Sequence, residues 1–123
     1  MRAISVGEAE YYSYVAKTAE MPEGASFCLE LTDNATSPYF PAGTKVYVDA
    51  SASPAAFEAG VFYIGGRVVC RQCCEDYSGS LRLLPSNPGM ESLCISVSAS
   101  ERSKCLCLGK IITEKKLPRP VFF

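Results

Sequence analysis

The stretch VFYIGGRVVCRQ (residues 61–72) decides the fold class. Two apolar runs rich in Val and aromatic residues flank Gly65-Gly66. A two-residue connection between paired strands needs positive φ at its central positions, and glycine adopts that conformation without a steric penalty. The stretch therefore predicts a tight β-hairpin.

Working outward, SFCLEL (residues 26–31) alternates with period two, so Phe27, Leu29 and Leu31 share one face. TKVYVD (residues 44–49) repeats the pattern with Val46 and Val48. EYYSYV, SLRLL and LCISV read as further strands, and KCLCLGKII as a longer one with a glycine kink or bulge. SASPAAFEAG is a loop with room for one helical turn, and EMPEGAS a turn-rich connection. The ending TEKKLPRPVFF carries Pro118 and Pro120, which exclude a regular helix. No repeat and no sustained 3.6-residue stripe interrupts this series. A mostly-β domain of about seven to nine short strands follows from the density of turn signals.

Composition narrows the function. The chain has 123 residues, 48% hydrophobic and 20% charged, enough for one domain with one real core. Twelve basic and thirteen acidic residues leave a net charge of −1, which argues against nucleic-acid binding by bulk electrostatics. No run approaches the 18 or so apolar residues that span a bilayer. The first residues have no apolar h-region, so no signal peptide is expected. Seven cysteines, an odd number, are expected to be mostly reduced thiols of a cytoplasmic protein. The absence of histidine excludes Ser-His-Asp and Cys-His catalysis within this chain and all His-based metal sites.

The order of segments resembles the C-terminal domain of the LexA/UmuD/phage-repressor family, Ser-Lys self-cleaving proteins. That family runs from a strand into Gly-Asp-Ser-Met-x-Pro; here LEL precedes Asp33-Asn34-Ala35-Thr36-Ser37-Pro38, then Gly43-Thr44 and KVYVD. The family's Val-Lys-Arg strand is matched by Val69-Cys70-Arg71, its Ser/Asn/Pro turn by Pro85-Ser86-Asn87-Pro88, and its closing Gly-Arg/Lys-Val-Ile by Gly109-Lys110-Ile111-Ile112. The resemblance covers roughly residues 22–112. It implies a LexA-like, β-clip-containing fold of short strands in small sheets. The domain boundaries expected are an N-terminal segment with a possible strand (1–25), the LexA-like domain (26–112) and a C-terminal tail (113–123).

Carried over residue by residue, the resemblance places Ala35 at the nucleophilic serine and Cys70 at the general-base lysine. A dyad of this kind needs a buried, neutral Lys to take the proton from Ser Oγ. Ala35 has no nucleophilic atom. Thr36, Ser37 and Cys70 itself lack a base. The family cleaves at an Ala-Gly or Cys-Gly bond, and residues 1–26 hold neither. Ala42-Gly43 and Ala59-Gly60 read as turn glycines. The positions Ala35 and Cys70 are thus expected to be degenerate, with no catalytic residue, no cofactor and no metal.

Other features have two readings each. Cys70, Cys73, Cys74, Cys105 and Cys107 have the makings of a four-thiolate zinc site, but they read better as small apolar fillers of strand faces. Cys28 and Cys94 read as ordinary strand residues. Tyr11, Tyr12 and Tyr14 read as core or edge packing. Val121, Phe122 and Phe123 form an apolar ending that docks either on a partner subunit or on the chain's own body.

The expected function is a catalytically inactive oligomerisation and regulatory domain of a prophage-type or LexA-like transcriptional repressor. It would act as a homodimer and touch DNA only through a separate helix-turn-helix domain. The alternatives are a self-cleaving Ser-Lys peptidase inactivated by substitution and a small Cys-rich zinc-binding module.

Overall fold

Gly65 and Gly66 take φ of 58° and 78° and join β5 (Ala59–Ile64) to β6 (Arg67–Glu75), the predicted hairpin. This computed structural model describes residues 2–6, 9–13 and 21–123, with the backbone course alone for the first two stretches. The remaining strands are β1 (Arg2–Val6), β2 (Ala9–Ser13), β3 (Phe27–Leu31), β4 (Lys45–Asp49), β7 (Leu81–Leu84), β8 (Ile95–Val97) and β9 (Leu106–Ile111). All pairings are antiparallel, in the order β1-β2-β3-β4-β9-β5-β6-β7-β8. The strands form one continuous ladder rather than several small sheets. Tyr14 lies outside the described residues, and the side chains of Tyr11 and Tyr12 are not described.

The sheet curls because its two halves bury opposite needs. Phe27, Leu29 and Leu31 of β3, with Val46 and Val48 of β4, close over Val61 of β5, Val68 and Cys70 of β6 and Ile111 of β9 to make the main core. Each fully buried Val or Leu there contributes about 1.5–3 kcal/mol. On the other face, Phe62, Val69, Cys73 and Leu83 form a second, smaller cluster. Successive residues of a strand point to opposite faces, so β6, buried along most of its length, serves both cores.

Gly109 makes the curl possible. Val61 pairs with Gly109 and Phe62 with Cys107, leaving Leu108 as the extra residue of a bulge. A Cβ on Gly109 would lie 2.5 Å from the Asp49 carbonyl oxygen and 2.6 Å from Val48 Cγ1, so only glycine lets β9 approach β4. The predicted kink is therefore a bulge with a steric cause.

Three details differ from expectation. The loop at residues 50–58 has no helical turn; it bends through Phe57, a non-glycine residue at φ 66°, held by Phe57 N–H to the Cys73 carbonyl at 2.6 Å. Two 3-10 segments, Glu91–Leu93 and Ala99–Lys104, flank β8, too short to leave a helical period in the sequence. Cys94 precedes β8 as the cap of the first of these and is not itself a strand residue. No helix among the described residues is long and apolar enough to cross a membrane.

Candidate functional site

The connection from β3 to β4 is folded by its own polar side chains. Asp33 Oδ1 accepts from Ala35 N–H at 3.0 Å, and Asn34 Oδ1 from Ala42 N–H at 2.9 Å. Thr36 Oγ1 donates to the Phe40 carbonyl at 2.8 Å while Phe40 N–H returns a bond to the Thr36 carbonyl at 2.9 Å. Asx and Thr side chains compete well for backbone groups in this way, which is why the segment forms a compact turn. Ser37-Pro38 within it is a cis peptide.

Ala35 sits sealed at the centre, 1% exposed. Its carbonyl accepts from Ser86 N–H at 2.8 Å and Asn87 N–H at 3.1 Å, and Asn87 Nδ2 donates to the Asn34 carbonyl at 3.1 Å. The turn following β7 is thereby buttoned to the turn carrying Ala35.

Cys70 lies on β6, in the main core. Burial pushes its thiol up to about 12; Arg71 opposes the shift and the Asp33 carboxylate adds to it. Ser86 links the Ala35 turn to β6, its N–H on the Ala35 carbonyl and its Oγ on Gln72. Two residues beyond Cys70 on the same face, Gln72 is 1% exposed and fully used. Its Oε1 accepts from Ser86 Oγ at 2.7 Å, and its Nε2 donates at 2.8 Å to both the Phe57 and Pro118 carbonyls. A hydrogen-bonded path thus runs from Ala35 through Ser86 and Gln72 to the C-terminal tail.

The chemistry open to this site is narrow. A methyl group cannot attack a carbonyl. A buried thiol protonated far above neutral pH neither attacks nor takes a proton. The Ala35 N–H is already bonded to the Asp33 carboxylate.

The chain is a member of the Peptidase S24-like family. The match runs over residues 2–112, nearly the whole described fold, and the family is one of Ser-Lys peptidases. No curated protein matches the chain. The Peptidase S24-like domain here is a mostly-β antiparallel sheet, as the resemblance implied.

Within this S24-like domain Cys70 does not join the other cysteines of the zinc reading. Cys70 faces the main core and Cys73 the second cluster, so the CxxC pair is split across the sheet. Cys73, Cys74, Cys105 and Cys107 instead border a cavity of about 410 Å³ with Phe62, Leu81 and Arg102. Among the described residues, no three His, Cys, Asp or Glu side chains are grouped to hold a metal ion. Cys105 lies just before β9 and packs on the second cluster, but Cys107 is exposed rather than filling a sheet face.

The apolar ending lies against the chain's own body. Phe123 meets Phe57 edge-to-face at 4.8 Å between centroids, and Arg82 Nη2 donates to the Phe122 carbonyl at 3.1 Å. Val121 points outward, 66% exposed. Sequence reasoning assigned no role to Gln72 or Ser86. Strand periodicity does put Gln72 on the Cys70 face, but its partners are remote in sequence. Buried Arg71, bonded to the carbonyls of Cys70 at 2.8 Å and Leu93 at 3.2 Å, pins the first 3-10 segment to β6, a role that its place in the Val69-Cys70-Arg71 motif did not suggest.

Proposed function

We propose that this S24-like domain is a catalytically inert regulatory and oligomerisation domain of a prophage-type or LexA-like transcriptional repressor. The observation that carries the reading is the burial of Ala35, a methyl, and of Cys70, a thiol held protonated, at the two positions that the resemblance pairs with the family's serine and lysine. The Ala35 N–H supports it further, because it is already bonded to the Asp33 carboxylate. Thr36, the adjacent hydroxyl, is committed to the Phe40 carbonyl. A domain that keeps the family's fold with these groups is suited to holding subunits together rather than to cutting. Seven free thiols fit a reducing cytoplasm. The net charge of −1 leaves DNA contact to a separate helix-turn-helix domain.

Two arms test the reading. Incubated at alkaline pH, alone or with an activated recombinase filament, the chain should keep its intact mass; specific fragments that disappear in Ser37→Ala would overturn the inert assignment. Fused behind a monomeric helix-turn-helix, the domain should raise affinity for a two-half-site operator over a single half-site by roughly tenfold or more, through effective concentration. Equal affinities would remove the oligomerisation role.

A further inference from the structure

Residues 113–123 cross four separate parts of the body, and each part offers something different. Near the start, Lys115 Nζ donates to the Tyr39 carbonyl at 2.7 Å and lies 5.0 Å over the Phe40 ring, on the turn that carries Ala35. Leu117, half-buried, packs on the main core. Gln72 of β6 then holds the Pro118 carbonyl at 2.8 Å. Pro120 is buried. Arg119 stacks between two rings, 5.1 Å from Phe57 and 4.7 Å from Phe123. Arg82 of β7 closes the run on the Phe122 carbonyl.

Gln72 and Arg82 of the body take backbone carbonyls, the body half-buries Leu117 and buries Pro120, and Phe123 N–H closes a turn on the Pro120 carbonyl at 3.2 Å. Two prolines restrict the segment before it binds, lowering the entropy cost. The fit is also incomplete. A cavity of about 420 Å³ remains between residues 113–117 and the wall formed by Phe57, Glu58, Ala59, Lys110 and Ile111. Val121 and Phe123 stay largely exposed. The tail is held by a few donors, a ring pair and two cations, over space it does not fill, and none of its contacts is a strand pairing.

We propose that the groove holding residues 113–123 is a binding site for proline-containing peptides with an apolar residue before the first proline and an aromatic end, and that the chain's own tail is its resident, displaceable occupant. The groove runs from the Ala35 turn past Gln72 to β7, so displacement of the tail removes one of the two acceptors of Gln72 Nε2, in the network that reaches the Ala35 turn through Ser86. The proposal stands on the tail's contacts and does not depend on the repressor reading.

The test uses the full chain and a fluorescent synthetic peptide of sequence TEKKLPRPVFF. The tail of the wild-type chain competes at an effective concentration of the order of mM, so the peptide should bind a chain carrying Arg119→Ala with Phe123→Ala at least roughly tenfold tighter than wild type. A peptide with those same two changes should bind the double variant several-fold more weakly. Trypsin should cut after Lys116 faster in the double variant, and in wild type once peptide is saturating. Equal peptide affinity of the two chains, or of the two peptides, overturns the site. So does the absence of peptide binding to a double variant whose tail trypsin has shown to be released. Unchanged cleavage after Lys116 in the double variant overturns the latch.

Discussion

The two faces of β6 carry nearly the same residues and end with opposite properties. Toward the main core stand Val68, Cys70 and Gln72; toward the second cluster stand Val69, Arg71 and Cys73. The first face is shut. Cys70 is sealed under β3 and β4, and Gln72 spends every polar atom on neighbours. The second face opens, beyond Cys73, onto a cavity shared with Cys105 and Cys107. A cysteine therefore has no fixed role in this chain. Its chemistry is set by which neighbour strand lies over it.

The largest effect should come from placing a charge on each side. Cys70→Lys puts an ammonium in the main core; a depression of about three pKa units costs about 4 kcal/mol at neutral pH. Cys107→Lys, on the exposed strand, should change stability by no more than about 0.5 kcal/mol. Urea denaturation of both variants measures the contrast, and similar losses would mean that the two faces are equally packed. Because a lowered folded-state pKa leaves the folded chain with fewer bound protons, Cys70→Lys should regain stability as pH rises.

The wild type should do the reverse. Cys70 is held up to about 12 and Cys73 to about 11, in both cases chiefly by burial, against an ordinary 9.0. Between pH 9 and those values the unfolded chain has lost protons that the folded chain keeps, so stability falls as pH rises. Each thiol contributes a slope of up to about 1.4 kcal/mol per pH unit. Cys70→Val should remove one thiol's share, and an unchanged alkaline slope in that variant would show that Cys70 is not shielded in the folded state.

The smallest effect sharpens the same contrast without unfolding anything. Under iodoacetamide at pH 8, Cys107 should be alkylated well before Cys70, since Cys107 is exposed while burial both covers Cys70 and holds its thiol protonated. Mass spectrometry of time points reads the order. Early labelling of Cys70 in a folded chain would place it on an accessible face.

Much of the fold was legible because its causes are local. Alternation alone put Phe27, Leu29 and Leu31 on one face with Val46 and Val48, and they meet in the main core. Gly65-Gly66 announced the hairpin, and the glycine of KCLCLGKII announced the bulge, although the Asp49 carbonyl that demands it was invisible in the sequence. The candidate site was half legible. Ala35, Cys70 and Ser86 came from ordered motifs, but the Gln72 network did not, because its bonds join residues 14 and 46 positions apart. The two 3-10 segments were missed because three to six residues cannot display a period.

By itself, then, the order of residues determined that this chain forms short antiparallel strands, that it has no histidine chemistry, and that position 35 offers a methyl with no nucleophilic atom. Those properties follow from side-chain period, turn geometry and covalent structure, which need no distant partner. Tertiary structure alone decided that Cys70 is sealed while Cys107 is open, that Ala35 N–H belongs to Asp33, and that the tail lies on Gln72, Phe57 and Arg82. Burial and hydrogen-bond partnership are properties of what packs against a residue, and here the packing partners come from strands and turns far along the chain.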